Sequence, residues 1–295
     1  MKKEMILMRT IRTDLAIERR DALGTNLPEG VEIETENADG AVLTAIRVRT
    51  PDAAAALEKP VGVYYTVEIE SFPDAQSLLD DRLCLLTDVL RRLLPDEGPV
   101  LVAGLGNLNA TPDALGPKCV SQVLATRHIA REMREKMELP PLREVSALTP
   151  GVTGRTGIES VELLKGICDT VKPAAVIAVD ALAAGSVTRL VKTVQLSSAG
   201  IEPGSGVGNA RRALTRETLG VPVIAVGVPT VVDAVSLAKD VFGEADPPEN
   251  AAYADLMVTP RDIDEVIDAA ARLLALALNC ALQKNLSARE LLGLM

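Results

Sequence analysis

The sequence predicts an α/β protein, a three-layer α/β/α sandwich in which helices cover both faces of a mostly parallel sheet. Apolar runs of strand length, rich in β-branched residues, are typical of strands buried on both faces. These runs are Val100–Gly104, Ala174–Val179 and Val221–Val228. Helical periodicities lie between them, and loops rich in Gly, Pro and Asp follow them, which is the alternation expected of parallel strands joined by helices.

Composition sets the limits on function. The chain has 295 residues, of which 47% are hydrophobic but only 2% aromatic, so the core is built from Ala, Val, Leu and Ile. A formal net charge of −10 and the scarcity of aromatic rings both argue against direct nucleic-acid binding, although a basic protein partner is compatible with them. No apolar run reaches about 18 residues and no signal peptide is evident, so we expect a soluble cytoplasmic protein without a membrane partner.

Cysteine and histidine usage argues against several catalytic schemes. The four cysteines, at positions 84, 119, 168 and 280, form no CxxC pair and are interpreted as small buried residues of a reducing compartment. His128 is the single histidine, which makes a zinc site improbable and disfavours Ser-His-Asp and Cys-His catalysis. We therefore predict neither a metal nor a cofactor.

Before the first buried strand, the sequence predicts an arm, two half-buried strands and a helix. The first forty residues are polar and weakly periodic, and we expect them to be a loosely held arm. Ala41–Arg49 and Val61–Glu70 alternate as half-buried strands do. Asp52–Leu57 fits either a turn of helix or a loop, and Gln76–Leu94 is a predicted amphipathic helix.

The segment after the first buried strand carries the first candidate site residue. Gly and Asn permit tight turns and Pro prevents a continuing central strand, so the chain leaves the sheet at its carboxyl edge. Ligands bind in the crevice at that edge in open α/β sheets. Asp113 lies in this exit loop, with Asn107 and Asn109 as possible supporting residues. The alternative is that Thr111 or Asp113 only caps the next helix.

A second carboxylate follows the second buried strand. We expect a helix over Pro117–Met137, a short strand over Val145–Leu148, and a capping box at Thr156–Glu159 that opens another helix. Asp180 then ends the run of apolar residues, where an ionised group is costly unless it has partners or faces a cleft. Backbone hydrogen bonding is the alternative role for this aspartate.

Together the two aspartates suggest a chemistry. If their strands are neighbours, Asp113 and Asp180 face one crevice, where burial and repulsion separate their pKa values. One carboxyl group could then hold a proton while the other activates water. This arrangement needs neither a histidine nor a nucleophilic side chain.

Two later segments provide further candidates. The glycine-rich loop over 200–209 could present backbone N–H groups of Gly204, Ser205 and Gly206 to an oxyanion or substrate, or could be a simple turn-rich connection. Asp233 follows the third buried strand and suits either a supporting role or a helix cap. Thr259-Pro260 is expected to start the last helix.

Long blocks of the sequence resemble the germination (spore) protease family. In chain order they are LVAGLGNLNATPDALGPK, TPGVTGRTGIES, AVIAVDALAA, SSAGIEPGSGVGNARRALTRETLGVPVIAVGVPTVVDA and LMVTPRDID, with a weaker match at RTDLAIE near residue 12. The resemblance implies a phosphorylase/hydrolase-like sandwich. It also implies an endopeptidase that degrades small acid-soluble spore proteins at germination, in the cytoplasm of the spore core.

The same resemblance assigns roles to residues. An atypical aspartic mechanism would use Asp113 in TPDALGP and Asp180 in AVDALA. The family forms homotetramers and is made as a zymogen that cuts itself after an acidic residue. Asp14-Leu15-Ala16 fits that preference, so we expect residues 1–14 to be a prosegment, cleaved between Asp14 and Leu15, and residues 15–295 to be one peptidase domain.

The sequence also departs from the family pattern. Asn107-Leu108-Asn109 stands where the family has Asn-Trp-Asn, and only about residues 241–255 fill the place of a longer family segment. Two other functions therefore stay open. The acids could be metal ligands, as in the similar hydrogenase-maturation peptidases, or the chain could be a non-catalytic relative that binds spore proteins.

Overall fold

The computed structural model describes residues 12–38, 40–74, 77–129, 141–208, 211–243 and 256–295. Within these residues, nine strands form one sheet. The strands are β1 Val31–Ala38, β2 Ala41–Val48, β3 Gly62–Ile69, β4 Val100–Gly104, β5 Val145–Leu148, β6 Ala175–Ala184, β7 Thr193–Ser197, β8 Val223–Asp233 and β9 Met257–Val258.

The sheet has a parallel half and an antiparallel half. Its order is β1-β2-β3-β7-β8-β6-β4-β5, with β9 paired to β8. Strands β8, β6, β4 and β5 are parallel neighbours, whereas β1, β2, β3, β7 and β8 pair antiparallel. The α/β class is therefore confirmed, and the condition that the strands preceding Asp113 and Asp180 are neighbours is met by the pairing of β4 with β6.

Helices cover both faces of this sheet. They are α1 Ala16–Ala22, α2 Pro51–Leu57, α3 Asp81–Leu93, α4 Leu115–Val120, α5 Thr153–Thr156, α6 Ser160–Val171, α7 Arg216–Leu219, α8 Ala234–Phe242, α9 Ile263–Leu282 and α10 Ala288–Leu294. The largest core cluster packs α3, α4 and α9 against one face. Smaller clusters place α6 and α7 on the other face of the parallel half, and α1 and α2 on that of the antiparallel half.

Several boundaries differ from the sequence-based expectation. The first forty residues, expected to be a loosely held arm, contain two regular elements. Helix α1 is anchored by its buried Ala16 and Ile17, and β1 is an edge strand whose mostly exposed side chains give no apolar alternation. Helix α3 begins only at Asp81, because the Asp80 side chain accepts hydrogen bonds from the amides of Arg82 and Leu83. Helix α4 ends at Val120 instead of continuing, and residues 130–137 of that expected helix lie outside the described part of the chain.

The start of α6 also differs from the prediction, which placed a capping box at Thr156–Glu159. Glu159, not Thr156, is the N-cap of α6, and it forms a reciprocal capping box with Glu162. Thr156 and Glu159 can each cap a helix, and each is followed by a glutamate three positions later. The sequence pattern therefore indicated the first of two overlapping capping boxes. Gly157, at φ +70°, ends the preceding turn and forces the helix to restart.

A close approach of backbones links β4 to the loop that follows it. A Cβ added at Gly116 would lie 2.2 Å from the Leu105 carbonyl oxygen and 2.5 Å from that of Val179. One added at Gly104 would lie 2.3 Å from the Gly116 carbonyl oxygen. Gly106 has φ +105°, a left-handed conformation that favours glycine. The glycines thus allow residues 105–116 to fold back onto the ends of β4 and β6.

The variant Gly116→Ala tests this packing. We expect it to lower the free energy of unfolding by about 3 kcal/mol, because the new methyl group meets backbone atoms that cannot give way. The measurement is urea denaturation followed by circular dichroism.

Gly166→Ala is the matched control. Gly166 lies within α6, with nothing within 4 Å of the added Cβ, so the same substitution should raise stability by up to about 1 kcal/mol. Equal stability of the two variants would contradict the packing argument.

Candidate functional site

The candidate site is a cavity of about 240 Å³ at the carboxyl edge of the parallel strands. The loop after β4 forms one wall, β6 the floor, and the loop over 203–207 a third side. Asp113 and Asp180 both line it. The structure therefore brings together the two aspartates that the sequence had selected.

Asp113 is held by the backbone of its own loop. It ends a short 3₁₀ turn, Thr111–Asp113, in which its amide donates to the Ala110 carbonyl at 2.8 Å. The Asn107 amide donates to the Asp113 carbonyl at 3.0 Å. The Thr230 hydroxyl, from β8, donates to the Pro112 carbonyl at 2.7 Å and fixes the turn to the sheet.

The environment of Asp113 changes its acidity. Partial burial raises the pKa of its carboxyl group to about 6, against a smaller lowering by a backbone hydrogen bond from Asn107. An ordinary aspartate has a pKa near 3.9. Asp113 consequently titrates close to neutral pH, where a general acid or base is most effective.

Asp180 lies within β6 and not at its end. The strand continues to Ala184, since β8 extends beside it through Pro229 and Thr230. The Asp180 side chain is only 4% exposed, and the Ala181 amide donates to Oδ1 at 3.0 Å. Burial raises the pKa of Asp180 well above its ordinary value, and the charges of Asp113 and then Asp14 raise it further.

The two carboxyl groups therefore behave as a coupled pair. Each resists ionisation through burial, and the charge of Asp113 makes the ionisation of Asp180 harder still. Such a pair retains one proton to higher pH than an isolated carboxyl group would. A pair that holds one proton can both accept a proton from water and donate one to a leaving group.

The glycine-rich loop separates the site from a second cavity. Gly204, at φ +75°, opens a 3₁₀ turn over Ser205–Val207 and lines the aspartate cavity. Ser205 and Gly206 instead line the second cavity, of about 280 Å³. The Ser205 amide donates within the loop to the Glu202 carbonyl at 3.2 Å, while its hydroxyl donates to Asp14 Oδ1 at 2.7 Å.

The supporting candidates have distinct positions. The Asn107 backbone holds the Asp113 loop, as described, and its Oδ1 accepts from the Asn109 amide at 3.1 Å within the same turn. Asp233 is the N-cap of α8, with Oδ1 accepting from the amides of Val235 and Ser236 at 3.1 and 3.0 Å. This is the capping role that the sequence left open for Asp233.

The predicted cleavage point lies against the sheet beside the site. The Asp14 amide donates to the Ala183 carbonyl at 3.0 Å, and the Ala183 amide donates to Asp14 Oδ2 at 2.8 Å. Leu15 is fully buried. No sequence pattern indicates that Asp14 reaches the aspartate pair, or that Lys59 and Gln195 contact Asp14. These contacts join residues 45 and 181 positions apart, and only the folded sheet unites them.

Two structural features are absent from the described residues. Over the residues that the structure describes, no group of three or more His, Cys, Asp or Glu side chains is arranged to hold a metal ion. Within those same ranges, no helix is both long and apolar enough to cross a bilayer. The described cysteines are all free, and Cys119, Cys168 and Cys280 are buried, as the sequence predicts, whereas Cys84 is exposed.

Comparison with known proteins identifies similar sequences. A sequence model described as germination protease matches residues 12–243. The germination protease of Caldanaerobacter subterraneus subsp. tengcongensis is 40% identical, over 97% of this chain and 98% of that protein. The germination protease of Clostridium perfringens strain SM101 is 36% identical, over 95% and 97%. That of Priestia megaterium is 42% identical, over 81% of this chain and 68% of the relative.

A solved structure is also similar, at a lower level. It is the [NiFe] hydrogenase maturation protease HycI of Thermococcus kodakarensis, 17% identical, which covers 64% of this chain and 98% of its own. Its TM-score of 0.35 is too low to support an argument about fold or function.

The raised pKa of Asp180 predicts a pH-dependent stability. The folded protein keeps a proton that the unfolded chain, with a pKa near 3.9, has released, so stability falls as pH rises between the two pKa values. Asp180→Asn lacks this titration. We expect its melting temperature, relative to the original protein, to rise as pH goes from about 4 to 7.

The measurement is differential scanning calorimetry across that pH range. Asp96→Asn is the control, because the Asp96 side chain is fully exposed and makes only a 4.0 Å contact with Lys284. If the melting temperature of Asp180→Asn relative to the original protein is as independent of pH as that of the control, the raised pKa of Asp180 is contradicted.

Proposed function

The chain belongs to the germination protease family, and from this premise we propose that it is an aspartic-type endopeptidase whose catalytic pair is Asp113 and Asp180. The observation that carries the proposal is the shared cavity, in which both carboxyl groups have raised pKa values and the charge of one raises the pKa of the other. A coupled pair of this kind provides both an acid and a base near neutral pH.

The chemistry is peptide hydrolysis by activated water. The ionised carboxylate takes a proton from water, whose oxygen attacks the carbonyl carbon of the bound peptide. The protonated carboxyl group donates its proton to the leaving nitrogen. Because the two carboxyl groups titrate as a coupled pair, neither proton transfer is assigned to one aspartate.

Substrate and regulation follow from the family. We propose that the chain degrades small acid-soluble spore proteins during germination, in the spore core, and that it acts as a homotetramer. Residues 1–14 are the prosegment of a zymogen, and residues 15–295 form the peptidase domain. The loop of Gly204, Ser205 and Gly206 contacts the substrate, and Asn107 supports Asp113 through the backbone contacts described above.

Substitution of either aspartate tests the mechanism. We expect Asp113→Asn and Asp180→Asn each to lower the rate of spore-protein cleavage by about 10²–10⁴-fold, because one proton-transfer group is lost. The measurement is the rate of fragment formation from a purified small acid-soluble spore protein, with Asp96→Asn expected to cleave at the original rate. Cleavage at that rate by both aspartate variants would rule out the pair.

The same assay separates the two other functions. A metal-dependent peptidase would lose activity with a chelator such as EDTA and regain it with added metal, whereas the aspartate pair requires none. A non-catalytic relative would bind the spore protein without producing fragments.

Self-processing gives a separate prediction. Incubation of the full chain is expected to release residues 1–14 by cleavage between Asp14 and Leu15, which intact-mass spectrometry would detect as a single product of residues 15–295. Asp113→Asn is expected to stay uncut. Full activity in a chain whose amino terminus is intact would reject the assigned prosegment.

A further inference from the structure

The second cavity holds a set of polar groups that the aspartate mechanism does not use. Among the described residues, Asp14 alone lines both this cavity and the one that contains Asp113 and Asp180. Its carbonyl and carboxylate groups are each bound by two donors. The residue that precedes the expected cleavage point therefore lies between the aspartate pair and a separate group of hydrogen-bond donors.

The carbonyl oxygen of Asp14 receives two side-chain hydrogen bonds. Lys59 Nζ donates to it at 2.8 Å and Gln195 Nε2 at 3.0 Å. The Gln195 side chain also accepts from the Ala16 amide through Oε1, at 2.6 Å. One side chain thus spans Leu15 and fixes the backbone on both sides of that residue.

Lys59 is an unusual donor for this purpose. Burial lowers the pKa of its ammonium group, and the negative charge of Asp14 partly opposes that effect. A buried ammonium group is costly unless it is paired or hydrogen-bonded. Here its hydrogen bond goes to a main-chain carbonyl, the type of oxygen that becomes negatively charged during peptide hydrolysis.

The carboxylate of Asp14 is bound on the opposite side. The Ala183 amide donates to Oδ2 at 2.8 Å and the Ser205 hydroxyl to Oδ1 at 2.7 Å. A Cβ added at Gly206 would lie 2.3 Å from Oδ2, so only glycine leaves room for the acidic side chain. Charge-assisted donors and a steric fit together select a carboxylate at this place.

We propose that these groups form the subsite for the acidic residue that precedes the cleaved bond, with Lys59 and Gln195 as the donors that stabilise the oxyanion. The inference rests on the proposed function and deepens it. The ligand is an Asp or Glu residue of a polypeptide, and Asp14 occupies the subsite until it is released.

The subsite completes the reaction in balanced form. The water oxygen bonds to the Asp14 carbonyl carbon as the aspartate pair accepts a water proton, and the carbonyl electron pair moves onto the oxygen held by Lys59 and Gln195. When the electron pair returns from the oxygen to the carbonyl carbon, the bond between that carbon and the Leu15 nitrogen breaks. The nitrogen takes a proton from the aspartate pair, which leaves a carboxylic acid and an amine.

The test measures the first-order rate of cleavage between Asp14 and Leu15 in the full chain, by intact-mass spectrometry. We expect Lys59→Met to slow it by about 10²-fold and Gln195→Leu by a comparable factor. Lys59→Arg, which keeps a charged donor, is expected to recover part of the rate. Lys192→Met is the matched control, since Lys192 is exposed and lines a different cavity.

Selection of the carboxylate has its own variants. Ser205→Ala removes one donor to Asp14 and is expected to slow cleavage by about 10-fold, and Asp14→Asn to slow it at least as much. Ser121→Ala, at an exposed serine, is the control. Melting temperatures are recorded for every variant, and if Lys59→Met fails to fold, Gln195→Leu takes its place.

The outcomes separate this inference from the proposed function. If the original chain cuts neither itself nor a spore protein, the proposed function fails, and the subsite with it. If the original chain cuts spore proteins but leaves the Asp14–Leu15 bond intact, or if folded Lys59→Met and Gln195→Leu chains cut that bond at the original rate, only the subsite is overturned.

Discussion

The site depends on how closely the backbone after β4 approaches the sheet. Gly104 and Gly116 bring main-chain atoms of the loop and of α4 within distances that no Cβ allows, and Gly106 supplies the turn between them. This contact places Asp113 over β6, beside Asp180. Without it the loop would stand away from the strand ends, the two carboxyl groups would be solvated separately, and their pKa values would return toward that of an ordinary aspartate.

The parallel half of the sheet could be predicted from sequence because its signals are local and strong. Fully buried strands are nearly uninterrupted apolar runs, and β4 and β6 show this pattern directly. Their adjacency was a condition that the sequence left open, and the pairing of β4 with β6 in the structure meets it. By contrast, β1 is an edge strand with exposed polar side chains, and its strand conformation is set by pairing with β2 and not by its own residues.

The candidate site was predictable only in part, for the same reason. Asp113 and Asp180 stand next to strong strand signals, so their position at the carboxyl edge could be inferred. The contacts of Asp14 with Lys59 and Gln195 could not. They bring together an arm, a helix end and the antiparallel strand β7, and no local pattern records which side chains a sheet of this topology will unite. The role of Asp233 as a cap also required coordinates, because strand exits and helix starts favour the same residue type.

Asp180 lies within its strand and Asp113 in a loop, and this difference has a mechanical consequence. The backbone of Asp180 is paired with Gly227 of β8, and its neighbour Val179 with Gly104 of β4, so it moves only if the centre of the sheet opens. Interior strands open rarely, whereas surface loops rearrange readily. Any change in the spacing of the two carboxyl groups therefore requires the Asp113 loop to give up its contacts with the sheet, among them the Thr230 hydrogen bond to the Pro112 carbonyl.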